Sequence, residues 1–129
     1  MAKVIGICHF NLRAPRGLLE QLCDFYTAIV GLSVGARPSF NSFGFWLYAG
    51  PKDVLHLTEA TPQENVGVHV STTFNHVAFS CCDLASYRAR LDAAGIAYKC
   101  DLVPGTGQVQ LFLNDPAGNG VELNFSAGV

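Results

Sequence analysis

The sequence has no apolar run approaching the ~20 residues needed to cross a bilayer, and its Met1-Ala2-Lys3 start leads into strand-like residues without a signal-peptide cleavage pattern. A cytoplasmic protein with no membrane partner is expected. Charge is also scarce: Asp, Glu, Lys and Arg make up 14% of the chain, the formal net charge is -2, and the basic residues are scattered. Without a basic field to neutralise phosphates, nucleic acid is not an expected partner. The five cysteines, at positions 8, 23, 81, 82 and 100, form an odd count with no CxxC spacing. Free thiols are therefore expected, rather than a zinc site or redox motif. Cys8 adjoins His9, but strand neighbours point to opposite faces, so it reads as a buried structural residue. No Gly-rich phosphate loop is present, Gly105-Thr106-Gly107 reading instead as a turn or lid, and no serine stands in a nucleophile elbow.

What is present suffices for one globular domain. The chain has 129 residues, of which 50% are hydrophobic, so a core can form and a single domain over residues 1–129 is expected. Residues 4–12 read as a strand with Val4, Cys8, Phe10 and Leu12 on one face and His9 and Asn11 on the other. Residues 15–30 read as a helix, with Leu18, Leu22, Phe25, Tyr26 and Ile29 at helical spacing, Pro15 in the first turn and Gly31 as the cap. Strands are expected over 32–39, 42–49 and 53–59. After a polar stretch, residues 61–73, the order returns: a strand over 74–80, a helix capped by Asp83 and stopped by Gly95, then strands over 96–102, 108–114 and 120–125.

His9 and His76, His56 and Glu122, and Gly31 and Gly95 are separated by 64 to 67 residues, which is the mark of an internal repeat. The expectation is an α+β fold of two tandem βαβββ modules, residues 4–60 and 74–127, joined by linker 61–73. Helices would cover one face of a curved mixed sheet and leave the other to form a metal-binding cleft.

Four polar residues, His9, His56, His76 and Glu122, stand on the expected first and last strands of the modules beside residues of an apolar face, as in Leu55-His56-Leu57, Val121-Glu122-Leu123 and His76-Val77 with Phe79. Alternation turns them toward the cleft. Imidazole and carboxylate donors without thiolate suit one divalent ion of Zn, Fe, Mn, Ni or Co per site. Trp46 and Tyr48 share one strand face and Phe45 and Leu47 the other, so one pair is a candidate pocket lining, with core the alternative for all four. Gln108, Gln110 and Phe112 are candidates for substrate contact, or else exposed strand residues. Arg37 is a candidate anion contact or a solvated surface arginine.

Asp24-Phe25-Tyr26 followed by Val30-Gly31-Leu32, Asn75-His76-Val77-Ala78-Phe79, and the run from Asn114-Asp115-Pro116 through Gly120-Val121-Glu122-Leu123 together resemble the vicinal-oxygen-chelate superfamily. That superfamily includes glyoxalase I, extradiol dioxygenases, methylmalonyl-CoA epimerase and fosfomycin-resistance proteins. The resemblance covers nearly the whole chain and implies that His9, His76 and Glu122 are metal ligands. His56 stands where glyoxalase I has Glu and the epimerase Gln, and is the departure from the pattern. The implied activity is a metal-dependent lyase or isomerase of glyoxalase type acting on a small oxygen-rich substrate, with Glu122 or an uncoordinated His56 as the base. The alternatives are an extradiol-type dioxygenase, with Fe²⁺ on His9, His76 and Glu122, and a metal-free drug-binding protein of the bleomycin-resistance type. A homodimer is implied as well, and ligands from one chain or from two remain open.

Overall fold

The computed structural model describes residues 1–128, so the last residue of the expected 1–129 domain lies outside the described residues. The chain divides into two compact units, Met1–Val66 and Gly67–Val129. In the first, β1 (Phe10–Ala14), α1 (Arg16–Asp24), β2 (Ser33–Gly35), β3 (Gly44–Ala49) and β4 (Lys52–Glu59) follow one another. The second has β5 (His76–Cys81), α2 (Leu84–Ala93), β6 (Lys99–Leu102), β7 (Val109–Asn114) and β8 (Gly120–Phe125). The sheets run β1-β4-β3-β2 and β5-β8-β7-β6. In each, the first strand lies parallel to the last and the other pairings are antiparallel. The fold is thus α+β, with tandem βαβββ order and a mixed four-stranded sheet in each unit.

Strand alternation sorts each sheet into a dry face and a polar one. Leu47, Leu55 and Leu57 are completely buried in the first unit, as is Leu19 of α1. In the second unit Leu111, Val121 and Leu123 are equally buried, as is Leu91 of α2. Each such side chain contributes about 1.5–3 kcal/mol by leaving water.

Pro15, at φ −56°, sets the start of α1, which buries Leu19, Leu22 and Cys23 along one stripe. The helix expected over 15–30 changes character at Phe25, where Phe25–Val30 widens into a π-helix. The amides of Gly31 and Leu32 both donate to the Tyr26 carbonyl, at 3.1 and 2.9 Å. An α-helix rotates successive side chains by about 100°, yet here the consecutive Phe25 and Tyr26 are both buried and meet edge-to-face at 5.1 Å. Gly31 then ends the element at φ 99°, a conformation that favours glycine. In the second unit, Asp83 caps α2 by accepting from the Ser86 amide at 3.2 Å. Tyr87 and Phe125 of β8 meet in a T-shaped contact, with ring centroids 5.5 Å apart.

Other expectations change as well. The first strand begins at Phe10 rather than residue 4, and Val4, Ile5 and Ile7 are exposed. Its ladder on β4 starts with Phe10 opposite Leu55, next to a bulge in the partner strand. Cys8 is exposed rather than buried, because a residue outside the sheet has no alternating face to be buried on. The second strand stops at Gly35. Pro38 lacks the amide that a continuing ladder needs, so Arg37 lies in a loop.

Arg13 of β1 donates from Nε to Glu64 Oε2 at 3.0 Å, tying the end of the first unit back to its sheet. That hydrogen bond, with the Thr61 amide assisting, holds the Glu64 carboxyl at about 2, well below its ordinary 4.5. Because the folded value is depressed, the stabilisation is present above pH ~4.5 and lost as pH falls toward 2. The melting temperatures of wild type and Glu64→Gln are therefore expected to differ at neutral pH and converge through that window. A gap independent of pH would count against the assignment. No helix among the described residues is long and apolar enough to cross a membrane.

Candidate functional site

His56 sits in mid-β4 between the buried Leu55 and Leu57 and points to the opposite face. Its partners across the sheet are Trp46 on β3 and Asn11 on β1. The imidazole is clamped between two rings: the Trp46 indole at 4.0 Å and 6°, and the His9 imidazole at 3.6 Å and 19°. Asn11 donates to the His56 carbonyl at 2.8 Å and to Thr58 Oγ1 at 3.0 Å, fastening β1 to this stretch of β4. His9 itself immediately precedes β1, with its Nδ1 3.2 Å from Cys8 Sγ.

A residue that sequence reasoning passed over completes this cluster. Asp53 Oδ2 lies 2.6 Å from His56 Nε2, although strict alternation places residues three apart on opposite faces. A β-bulge is the cause. Leu47 pairs with Leu55 but Tyr48 pairs with Asp53, leaving Val54 as the extra residue on β4. The phase of the strand shifts by one, and Asp53 returns to the His56 face. The hydrogen bond with His56 holds the Asp53 carboxyl below its ordinary value. His9, Asp53 and His56 each present a ligand atom, all within 4.8 Å of one another. Two imidazoles and a carboxylate at this separation fit a borderline divalent cation.

In the second unit, Glu122 stands in mid-β8 between buried Val121 and Leu123 and is itself only 6% exposed. A buried carboxylate is costly unless hydrogen-bonded, and both its oxygens are engaged. Oε2 accepts from Gln110 Nε2 at 3.2 Å and from Asn124 Nδ2 at 3.1 Å, while Oε1 lies 3.2 Å from His76 Nε2. His76 opens β5, with its ring edge-on to Phe112 at 5.8 Å. Asn124 was also missed; its signal was its position two residues after Glu122, on the same face. The repeat persists in the registers, since Trp46 faces His56 as Phe112 faces Glu122.

The other expected contacts are dispersed. Gln110 and Phe112 surround Glu122 and His76, whereas Gln108 precedes β7, with its amide donating to Thr106 Oγ1 at 3.1 Å. The Tyr48 ring lies over Gly35, where a Cβ would come within 2.5 Å of it, and its hydroxyl donates to the Ala36 carbonyl at 2.6 Å. Arg37, Trp46 and His56 line one cavity of the first unit.

The sequence profile of the Glyoxalase/Bleomycin resistance protein/Dioxygenase superfamily matches residues 6–123. No curated protein matches the chain. Among solved structures, a glyoxylase/bleomycin resistance protein/dioxygenase domain from Frankia sp. EAN1pec is 19% identical, with TM-score 0.74 over 96% of this chain and 99% of that one. The lactoylglutathione lyase of Agrobacterium tumefaciens is 22% identical, with TM-score 0.67 over 96% of each chain. A genomically encoded fosfomycin resistance protein of Listeria monocytogenes is 16% identical, with TM-score 0.71 over 98% of this chain and 97% of that one. At these identities the likeness is one of fold. With the profile spanning nearly the whole sequence and the βαβββ order found in both units, the chain belongs to the glyoxalase/bleomycin resistance protein/dioxygenase superfamily.

Proposed function

We propose that the protein is a divalent-metal-dependent enzyme that chelates a small oxygen-rich substrate and acts on it as a glyoxalase-like lyase or isomerase, working in the cytoplasm as a homodimer. The observation that carries this reading is the gathering of His9, Asp53 and His56 with ligand atoms within 4.8 Å. The second support is Glu122, buried and oriented by two side-chain amides beside His76. In this reading His9, His56, His76 and Glu122 would serve as the metal ligands, drawn from one chain or from two. A cation of this type would supply Lewis acidity to the oxygens of the substrate.

The chain's own groups do the rest. Gln110 and Asn124 hold Glu122 Oε2 and so orient the carboxylate that, on leaving the metal, would receive a proton from the substrate's acidic C–H. Trp46 stacks on His56, and Phe112 meets His76 edge-on, so each unit sets an aromatic ring beside a candidate ligand. The Asp53–His56 hydrogen bond favours a second reading, in which His9, His76 and Glu122 hold Fe²⁺ for an extradiol-type dioxygenase and His56 serves as acid or base.

Elemental analysis of protein purified without added metal is expected to find about one first-row metal per chain. The loaded protein, eluting at dimer mass, should turn over a hemithioacetal in a screen that also offers a catechol and fosfomycin. Catechol cleavage would select the second reading. Tight binding of a small molecule by metal-free protein, without turnover, would replace both readings with a sequestering one.

A further inference from the structure

Beside His56 the first unit has a cavity of about 210 Å³, into which Arg37 and Trp46 also face. We propose that it is a carboxylate subsite: Arg37 takes the anionic end of a small organic acid while Trp46 and Phe40 face its apolar body. Only the naming of that acid as the substrate rests on the metal-enzyme reading above.

Arg37 is set apart from the other arginines of this unit. Arg13 is paired with Glu64 and Arg16 with Glu59, but no ion pair among the described residues includes Arg37. Its guanidinium is held by neutral groups alone: the terminal nitrogens donate to the Ser42 carbonyl at 3.0 Å and to Ser42 Oγ at 3.2 Å, and the plane lies over Phe40 at 4.9 Å. Its Nε is shut away from solvent without a hydrogen-bond partner. A half-buried cation with no counter-charge is costly, and a bound anion would offset that cost.

The surroundings fix its position. A Cβ at Gly44 would collide with the Leu57 carbonyl and come within 3.0 Å of Arg37 Nη2, so the glycine leaves room for the guanidinium to lie against β3. Phe40 meets Trp46 at 6.2 Å, which gives the cavity an aromatic wall beside the cation. Asn11 and Thr58 are already bonded to each other at 3.0 Å, leaving Arg37 as the charged donor for a ligand. A planar guanidinium matches the planar, singly charged carboxylate. The volume falls below the ~300–1,000 Å³ of drug-sized sites, so the occupant is a small acid rather than a peptide or nucleotide.

Trp46 is the only tryptophan of the chain and lines this cavity, so intrinsic fluorescence reports occupancy. The full chain, as purified and after chelator treatment, is titrated with benzoate, with acetate (charge without ring) and with benzamide (ring without charge). A saturable change with benzoate, a weaker one with acetate and none with benzamide are expected. Arg37→Gln should weaken benzoate binding about tenfold or more, with Arg37→Lys between it and wild type. Equal response to benzoate and benzamide would overturn the proposal, and that comparison needs no variant. So would unchanged benzoate affinity in Arg37→Gln, or binding that disappears with chelator while ignoring Arg37, since the metal would then hold the anion. Charge-selective, Arg37-dependent binding in protein shown to contain no metal would keep the subsite while removing the metal-enzyme reading.

Discussion

Replacing His76 with alanine is expected to leave the protein folded but nearly free of metal as purified, with divalent-ion affinity lowered by more than about 100-fold. Loss of a group that merely supports a ligand typically costs 10–100-fold, and His76 is proposed to donate directly. The side chain is 36% exposed at the first residue of β5, so its removal opens no core cavity. The variant also leaves Glu122 Oε1 without the imidazole it now faces at 3.2 Å, with only the amides on Oε2 remaining. Elemental analysis and calorimetric titration with Zn²⁺ measure the effect, and circular dichroism checks the fold. Equal metal content in variant and wild type would reject His76 as a ligand.

The His56 variants carry the second large effect, because they separate ligation from acid–base action. If His56 is a ligand, His56→Ala loses metal, whereas His56→Glu retains it and acquires the two-His, two-Glu set that the family resemblance associates with glyoxalase I. The geometry adds a further signature. His56 Nε2 is 2.6 Å from Asp53 Oδ2, so a glutamate there would face another carboxylate, and like charges at such range disfavour the double anion. Metal should therefore raise the melting temperature of His56→Glu more than that of wild type. If His56 is instead an acid–base group, His56→Ala keeps its metal and loses turnover by about 10²–10⁴-fold. Thermal shift with and without metal, combined with turnover of a hemithioacetal, distinguishes the two. Metal retention in His56→Ala would remove His56 from the ligand set.

Much of the architecture was legible because it depends on local periodicity. The helix ends at Gly31 and Gly95 follow from the conformational freedom of glycine, which both residues use at positive φ. The faces of β4 and β8 follow from alternation of period two, which puts Leu55 and Leu57 opposite His56, and Val121 and Leu123 opposite Glu122. The βαβββ order, and its repetition, came from the same local signals.

Tertiary structure alone decided the features that depend on how one strand lies against another. Val54 is an ordinary strand residue with nothing in its neighbours to mark a bulge, yet the slip it introduces against β3 carries Asp53 to His56. Beside that bulge the β1 ladder starts only at Phe10, leaving Cys8 and His9 outside the sheet, with Cys8 exposed. Arg37 took its place among Phe40, Ser42 and Gly44 through a loop rather than a strand face. Side-chain alternation is set within a single strand and can be read from neighbouring residues. Pairing register is set between strands by whichever backbone hydrogen bonds and buried leucines fit best, so a one-residue slip changes a site without leaving a mark in composition.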